Sequence, residues 1–495
     1  MRPFRAGLLA AVAVLLVAIG ASAASADTTN AVPDVQYFDG RVFPPGVQGT
    51  IRITGTGWVN GTTFAFTPGA PAPTINIDNV AFANGDTQVT LLITPAADAL
   101  GSFTLSATAP GEAATTVSTV IVRTPKGSFN PINPTRVLDT RLGTGGRLGA
   151  LGPGESIAVH VTGIAGLVPA NNVEAVTLNL TAVGPTSPGY LTVYPAGSPF
   201  PPVSNVNFAA GQTIPNHVMV GVGTDGNITV FNSDGNTHVI VDLVGWFGNE
   251  LAPMGSGFVF AGTNPIRILD TRADVRIDAG NIRNLVIPNA SKYLYVAAVM
   301  NVTVVNPGAS GYLTAFPTGA ALPNASTNNF VAGQTLPNLV TVKIGAASSV
   351  TFYNGSDAPI DLVVDIQGMW SPPVSIPGTV FKPNPGGPQR IYDSRVTPGR
   401  PIGPKGIIIA TRPNVPGASS FVFNGTATGP TATGFVTVYP AVSALPGVSN
   451  LNFQPGQTVA NQVVPGLMGT GNYAIYNDVG STHVIIDVFG SLSLT

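Results

Sequence analysis

The chain has 495 residues and carries 21 Lys+Arg against 23 Asp+Glu, so charged side chains make up 9% of it, where an average protein carries about 25%. Charge this scarce, with only four glutamates (Glu112, Glu155, Glu174 and Glu250), excludes a mostly helical protein supported by surface Glu/Lys pairs, and a formal net charge of −2 offers nothing to attract nucleic acid. The 44% hydrophobic content and mean hydropathy of +0.32 indicate a packed chain, and the lack of cysteine excludes disulfides and thiolate metal sites.

In chain order, residues 1–26 read as a secretory signal peptide: Arg2 and Arg5 lead, Leu8 to Ile19 is apolar, and Ala24-Ser25-Ala26 forms a small-residue cleavage site. The expected location is secreted or extracellular, including association with the cell wall. Loss of Arg2 and Arg5 leaves 19 basic against 23 acidic side chains, net −4. No later run of about 18 apolar residues suggests a membrane span.

Residues 27–125 are expected to form a small β-sandwich. Strand alternation broken by glycine runs from Gly49 to Trp58 and from Gly61 to Phe66, with further strands at Thr87 to Thr94, Ser102 to Thr108 and Thr115 to Val122. The phrase Ile53-Thr-Gly-Thr-Gly-Trp58, then Gly61 and a short strand, resembles the immunoglobulin-like IPT/TIG family. Trp58 is expected to plug the core.

The remaining chain is a threefold repeat. Its copies open with Pro134-Thr-Arg-Val-Leu-Asp-Thr-Arg141, Pro265-Ile-Arg-Ile-Leu-Asp-Thr-Arg272 and Pro388-Gln-Arg-Ile-Tyr-Asp-Ser-Arg395. Each then has a Gly-aromatic strand ending in proline (Gly189 to Pro195, Gly311 to Pro317, Gly434 to Pro440) and a Gly-Gln-Thr turn (Gly211, Gly333, Gly456). An asparagine follows at Asn216, Asn338 and Asn461, and each copy closes on Asp242, Asp365 or Asp487 with a glycine three residues on. A spacing of 123 and then 122 residues between those aspartates exceeds a solenoid coil or propeller blade, so each copy should be a domain: 127–249, 257–371 and 378–495. About eight strand-like runs per copy predict an all-β fold of tandem sandwiches, Ig-like first and then three of jelly-roll or Greek-key type. Linkers such as Ser371 to Pro377 suggest four beads on a string. Together these motifs resemble an uncharacterised repeat module of secreted actinobacterial proteins, which implies an exported, modular protein and supplies no catalytic residue.

The recurrent charges are Arg136, Asp139 and Arg141; Arg267, Asp270 and Arg272; Arg390, Asp393 and Arg395; and the closing Asp242, Asp365 and Asp487. Each closing aspartate shares a strand face with apolar neighbours, so it needs a partner. The expectation is that it pairs with an arginine of its own opening motif, tying first strand to last. The alternative is a calcium site around Asp139 and Asp242. Of the four histidines (His160, His217, His238 and His483), the second repeat has none, which argues against a base shared by all three copies. A private set of His217, His238 and Asp242 in the first copy also fails, because His238 and Asp242 lie about 13 Å apart along one strand. The recurrent aromatics Tyr190, Tyr312 and Phe435, with Tyr194, Phe316 and Tyr439, are expected to be core. Their alternative use is a sugar-stacking row, with the amides of Asn207, Asn329 and Asn452 and of Gln212, Gln334 and Gln457 as hydrogen-bonding groups. The expected function is a secreted, non-enzymatic structural or adhesive binding array without cofactor, whose partners are extracellular polysaccharide or other surface proteins. The alternative is a glycan-binding protein or the accessory region of a glycan-active enzyme.

Overall fold

Runs of Val, Ile, Thr and aromatic residues punctuated by glycine and proline form strands throughout the computed structural model. It describes residues 34–494 except 40–41, 44–47, 57, 59–60, 69–74, 84–86, 97–100, 123–125, 224, 250–251, 253–256, 373–377 and 467–470. The expected signal peptide lies outside the described residues. Among them, helix is confined to three short turns at Thr271–Ala273, Ala290–Tyr293 and Ala346–Ser348, and no helix is long and apolar enough to cross a membrane. The fold is all-β, a series of sandwiches.

The first sandwich packs two four-stranded sheets. One orders β1 (Asp34–Asp39), β3 (Gly49–Thr56), β6 (Gln88–Pro95) and β5 (Ile75–Ala83); the other orders β2 (Val42–Phe43), β8 (Thr115–Val122), β7 (Gly101–Thr108) and β4 (Thr63–Pro68). Strict alternation along β6, which buries Val89, Leu91 and Ile93, gives this sandwich one core face per sheet. Trp58 lies in that core, 1% exposed, with its ring 5.8 Å from that of Phe64.

Each repeat is a two-sheet sandwich. In the first, β14 (Thr213–Gly221), β11 (Val173–Val183), β16 (His238–Gly248) and β9 (Ser128–Asp139) form an inner sheet. An outer sheet orders β10 (Ser156–His160), β15 (Asn227–Asn232), β12 (Gly189–Pro195) and β13 (Val206–Phe208). The second repeat keeps the same order, and the third splits the opening strand into Thr379–Pro383 and Gln389–Asp393.

Burial along the inner strands does not alternate. Eight consecutive residues of β11, Ala175 to Ala182, are buried, so both faces of this sheet are covered. One face packs on the outer sheet; the other turns to a neighbouring repeat. The expectation of separate beads is therefore corrected for the three repeats, which close into a ring. Main-chain bonds join their opening strands in a triangle: Phe129 and Phe258 exchange two bonds (2.8 and 3.2 Å), Phe260 is paired with Thr379, and Phe381 N–H donates to the carbonyl of Gly127 (3.0 Å). Ser371, where a spacer was expected, is instead the buried last residue of the strand Asp361–Ser371.

The triangle encloses an aromatic plug. Phe129, Phe260 and Phe381 from the opening strands meet Phe247, Trp370 and Leu492 from the closing ones, all 0–1% exposed. The Trp370 ring lies 4.6 Å from Phe129 and 5.1 Å from Phe260, and Phe247 lies 4.8 Å from Phe381. This accounts for the glycine that closes every repeat. A Cβ on Gly245, Gly368 or Gly490 would fall 2.3, 2.2 or 2.5 Å from a ring carbon of Phe129, Phe260 or Phe381, so each phenylalanine ring packs directly against bare backbone.

Candidate functional site

The motif arginines and closing aspartates meet because they are cross-strand neighbours. Arg136 is in register with Asp242, Arg267 with Asp365 and Arg390 with Asp487, each beside a bulge that adds one residue to the opening strand. The pairs are bidentate. Nε and Nη2 of Arg136 reach the two carboxylate oxygens of Asp242 at 2.9 and 3.1 Å, and the other two repeats show 2.9 and 3.3 Å. A second carboxylate completes each cluster: Arg141, Arg272 and Arg395 grip Asp139, Asp270 and Asp393 at 2.6–2.7 Å.

Burial sets the electrostatics. The side chains of Asp242, Asp365 and Asp487 are at most 1% exposed, and desolvation pushes their carboxyl pKa values up, with the paired arginines pulling the other way. The hydrogen bonds of Arg272 and Arg395 hold Asp270 and Asp393 below the usual carboxylate range. At Asp139 burial is the largest single influence and acts upward, yet the bonds and charge of Arg141, joined by the charge of Arg136, outweigh it and leave that carboxyl lowered. Both Asp139 and Asp242 are thus occupied by guanidinium groups. Among the described residues no group of three or more His, Cys, Asp or Glu is arranged to hold a metal.

Amides on the ring-facing side of the inner sheets join the repeats. Asn216 donates to Oδ1 of Asn424, Asn338 to that of Asn179 and Asn461 to that of Asn301, at 2.8, 2.9 and 2.8 Å. The Oδ1 atoms of Asn338, Asn461 and Asn216 accept from the backbone N–H of His217, Leu339 and Gln462 (3.0, 2.8 and 3.1 Å). Asn179, Asn301 and Asn424 donate onward to the carbonyls of Ser326, Ser449 and Ser204. Every one of these bonds crosses between repeats and the set closes on itself. His217 sits at the centre, 2.8 Å from both Thr177 Oγ1 and Gln462 Oε1, and burial lowers its pKa to about 4. His238 meets Thr140 at 3.1 Å and His483 meets Ser394 at 3.1 Å, so His217, His238 and Asp242 each have separate partners and form no catalytic set.

The residues considered for sugar stacking divide in two. Tyr194, Phe316 and Tyr439 are buried at 8%, 6% and 5% exposure. Gln212, Gln334 and Gln457 accept from the backbone N–H of Ala209, Val331 and Gln454, capping their turns. Those three rings lie in the core and form no stacking row; the other end of each strand is more open, with Tyr190 and Phe435 half-buried and Tyr312 exposed where a core position was expected. These rings border three equivalent clefts, of about 240, 490 and 270 Å³, at the three junctions between repeats. One repeat contributes its arginine pair and a threonine (Arg136, Arg141 and Thr181; Arg267, Arg272 and Thr303; Arg390, Arg395 and Thr426). The next contributes an aromatic ring and an asparagine (Tyr312 and Asn329; Phe435 and Asn452; Tyr190 and Asn207). Most of these residues stand out in the sequence, but their meeting does not, because each cleft draws its two walls from different repeats.

No protein-family model matches the chain, and no curated protein matches it. Among solved structures it matches a chain from an archaeal virus described by its triple jelly-roll fold and turret assembly, at 12% identity over 74% of this chain and 90% of that one, with a TM-score of 0.14. It also matches a chain of Sulfolobus turreted icosahedral virus at 11% identity over 74% and 92%, with a TM-score of 0.15. The fold assignment rests on the sheets described above.

Proposed function

We propose that the protein is a secreted, non-enzymatic surface protein in which the three repeats form one rigid head that works as a structural or adhesive array. One observation carries this reading: the closing aspartates, their arginines and the axial asparagines are spent on holding the molecule closed. Each closing aspartate is matched by a guanidinium, and the axial asparagines are matched across repeats. A general base needs a free lone pair poised at a reacting atom, and these groups are committed to one another. A fixed head with three like-built junctions presents three equivalent surfaces at set spacing, the geometry from which multivalent attachment gains.

The test is retention of the chain lacking residues 1–26 on peptidoglycan, chitin, cellulose and host-matrix polymers, with hydrolysis assayed in parallel. Retention without turnover is the expected result. Turnover of any glycan or peptide would overturn the non-enzymatic reading, and failure to be retained on every polymer would overturn the adhesive one. The second reading, a glycan-binding protein or accessory region, is favoured by the clefts between repeats.

A further inference from the structure

We infer that the three clefts between repeats are binding sites for neutral sugar residues, one site per junction. The inference rests on the adhesive reading and gives it a ligand class and an address. The first observation is a repeated deficit. The hydroxyls of Thr181, Thr303 and Thr426 are buried with no partner among the described residues, although each borders a cleft. A buried hydroxyl without a hydrogen bond is costly, and here the cost recurs at three equivalent positions.

The second observation is an unfilled donor at the same places. Ser204, Ser326 and Ser449 donate to Oδ1 of Asn207, Asn329 and Asn452 at 2.9–3.0 Å, which fixes each amide so that Nδ2 is its donor. None of the three Nδ2 groups has a partner among the described residues. Every cleft therefore combines an aromatic ring, an unpaired hydroxyl, an unpaired amide donor and the outer edge of a guanidinium whose side chain is 41–49% exposed.

Charge selects the ligand class. The two arginines at each cleft are matched by two aspartates, Asp139 and Asp242 in the first repeat and their equivalents in the others. Guanidinium N–H donors are thus presented without net positive charge, which suits a polyol rather than an anion. An aromatic ring beside such donors can hold the apolar face of a pyranose while its hydroxyls bond at the edge. The cleft volumes lie near the lower end of the roughly 300–1,000 Å³ typical of small-molecule pockets, the size of one or two sugar rings.

The experiment uses the chain lacking residues 1–26 and four disaccharide probes: cellobiose, maltose, lactose and N,N′-diacetylchitobiose. Saturation-transfer NMR detects contact, and titration calorimetry gives stoichiometry. At least one probe is expected to bind, with up to three equivalents per chain. Thr303→Val should remove one equivalent, and the triple variant Thr181→Val, Thr303→Val, Thr426→Val should remove all of them while thermal stability is unchanged or higher, since it deletes an unpaired buried hydroxyl at each site. A purely structural threonine would not separate the two readouts. Retention on a polymer built from the bound sugar should fall on the order of tenfold or more when one cleft is lost. Failure of all four probes to bind at millimolar concentration, binding untouched by the triple variant, or displacement of the sugar by inorganic phosphate or acetate would overturn the inference. If polymers are still retained in any of those cases, the adhesive reading stands and the cleft assignment alone fails.

Discussion

Asn338 should be among the most costly residues to replace, because it serves two repeats at once. It is 1% exposed, donates to Oδ1 of Asn179 at 2.9 Å and to the carbonyl of Thr327 at 2.7 Å, and accepts from the N–H of His217 at 3.0 Å. Asn338→Leu keeps the number and branching of the side-chain heavy atoms, so no cavity is created. It leaves one buried donor and two buried acceptors without these bonds, at about 1–3 kcal/mol each, while the added apolar burial gives back on the order of 1–2 kcal/mol. The net expectation is a loss of about 1–8 kcal/mol, with equal-sized effects for Asn216→Leu and Asn461→Leu because their bonds are equivalent. Chemical unfolding measures the loss, and amide hydrogen exchange at His217 locates it. A double-mutant cycle with Asn179→Ala, a residue of another repeat, should return a coupling of about 0.5–3 kcal/mol. A loss below about 1 kcal/mol with protection at His217 unchanged would refute the claim that these amides hold the ring closed.

Four further outcomes follow from the same geometry. Arg390→Met should cost about 3–5 kcal/mol and Asp487→Asn less, because the first strands a carboxylate that is 0% exposed whereas the second frees a guanidinium that is 29% exposed; equal thermal shifts would contradict this order. The Arg390→Met loss should shrink as pH falls, since burial raises the pKa of Asp487 and the folded state then binds its proton more readily than the unfolded one. Gly368→Ala, which sets a Cβ 2.2 Å from Cζ of Phe260, should cost about 1–3 kcal/mol and be partly rescued by Phe260→Leu, as thermal unfolding would register. His217, with a folded pKa of about 4 against 6.5 for an ordinary histidine, should contribute stability that is complete above pH 6.5 and is lost as pH falls toward 4. That loss amounts to roughly 3 kcal/mol, read as the difference in pH dependence between the native chain and His217→Gln, and parallel pH profiles would refute it.

The ion pairs could be read from the sequence because charge is so rare: in the last repeat Arg390, Asp393, Arg395 and Asp487 stand among few other charged residues, and a carboxylate beside Ile485 and Phe489 demands a partner. The strands could be read for the usual reason, as Thr115–Val122 and Gly189–Pro195 show, where β-branched residues end at turn formers. Ring closure could not. Asn179, Asn301 and Asn424 alternate with apolar residues along their strands, and such alternation ordinarily marks a face turned to water. The signal that distinguishes them is chemical: the outward face carries Asn and Thr with hardly any Lys or Glu, which suits amides bonded to amides better than a solvated surface. The same ambiguity covers Tyr190 and Tyr194, which share one strand face, since only the neighbouring repeat decides which end stays open.

Fusing three copies in one chain allows an axis that three identical chains could not build. In a symmetric trimer one residue type meets itself at the centre, and three histidines there would compete for the same acceptors. Here the equivalent positions hold His217, Leu339 and Gln462. The histidine pairs with the glutamine across the junction, and that glutamine also accepts from the N–H of Met219 at 3.1 Å. Leucine fills the third place with no polar group to satisfy. Covalent linkage thus lets unlike residues complement one another where symmetry would force like against like, so a buried histidine can be neutral and bonded instead of repelled by its copies. The same freedom extends to the clefts. Leu445, Pro446 and Gly447 border the largest of them, where Pro323 and Asn324 stand in one counterpart and Phe200 and Pro202 in the other. The arginine pair, threonine and asparagine are common to all three, so any difference in what the clefts select must come from this loop, from the aromatic ring beside it and from flanking positions such as Val183, Val305 and Thr428.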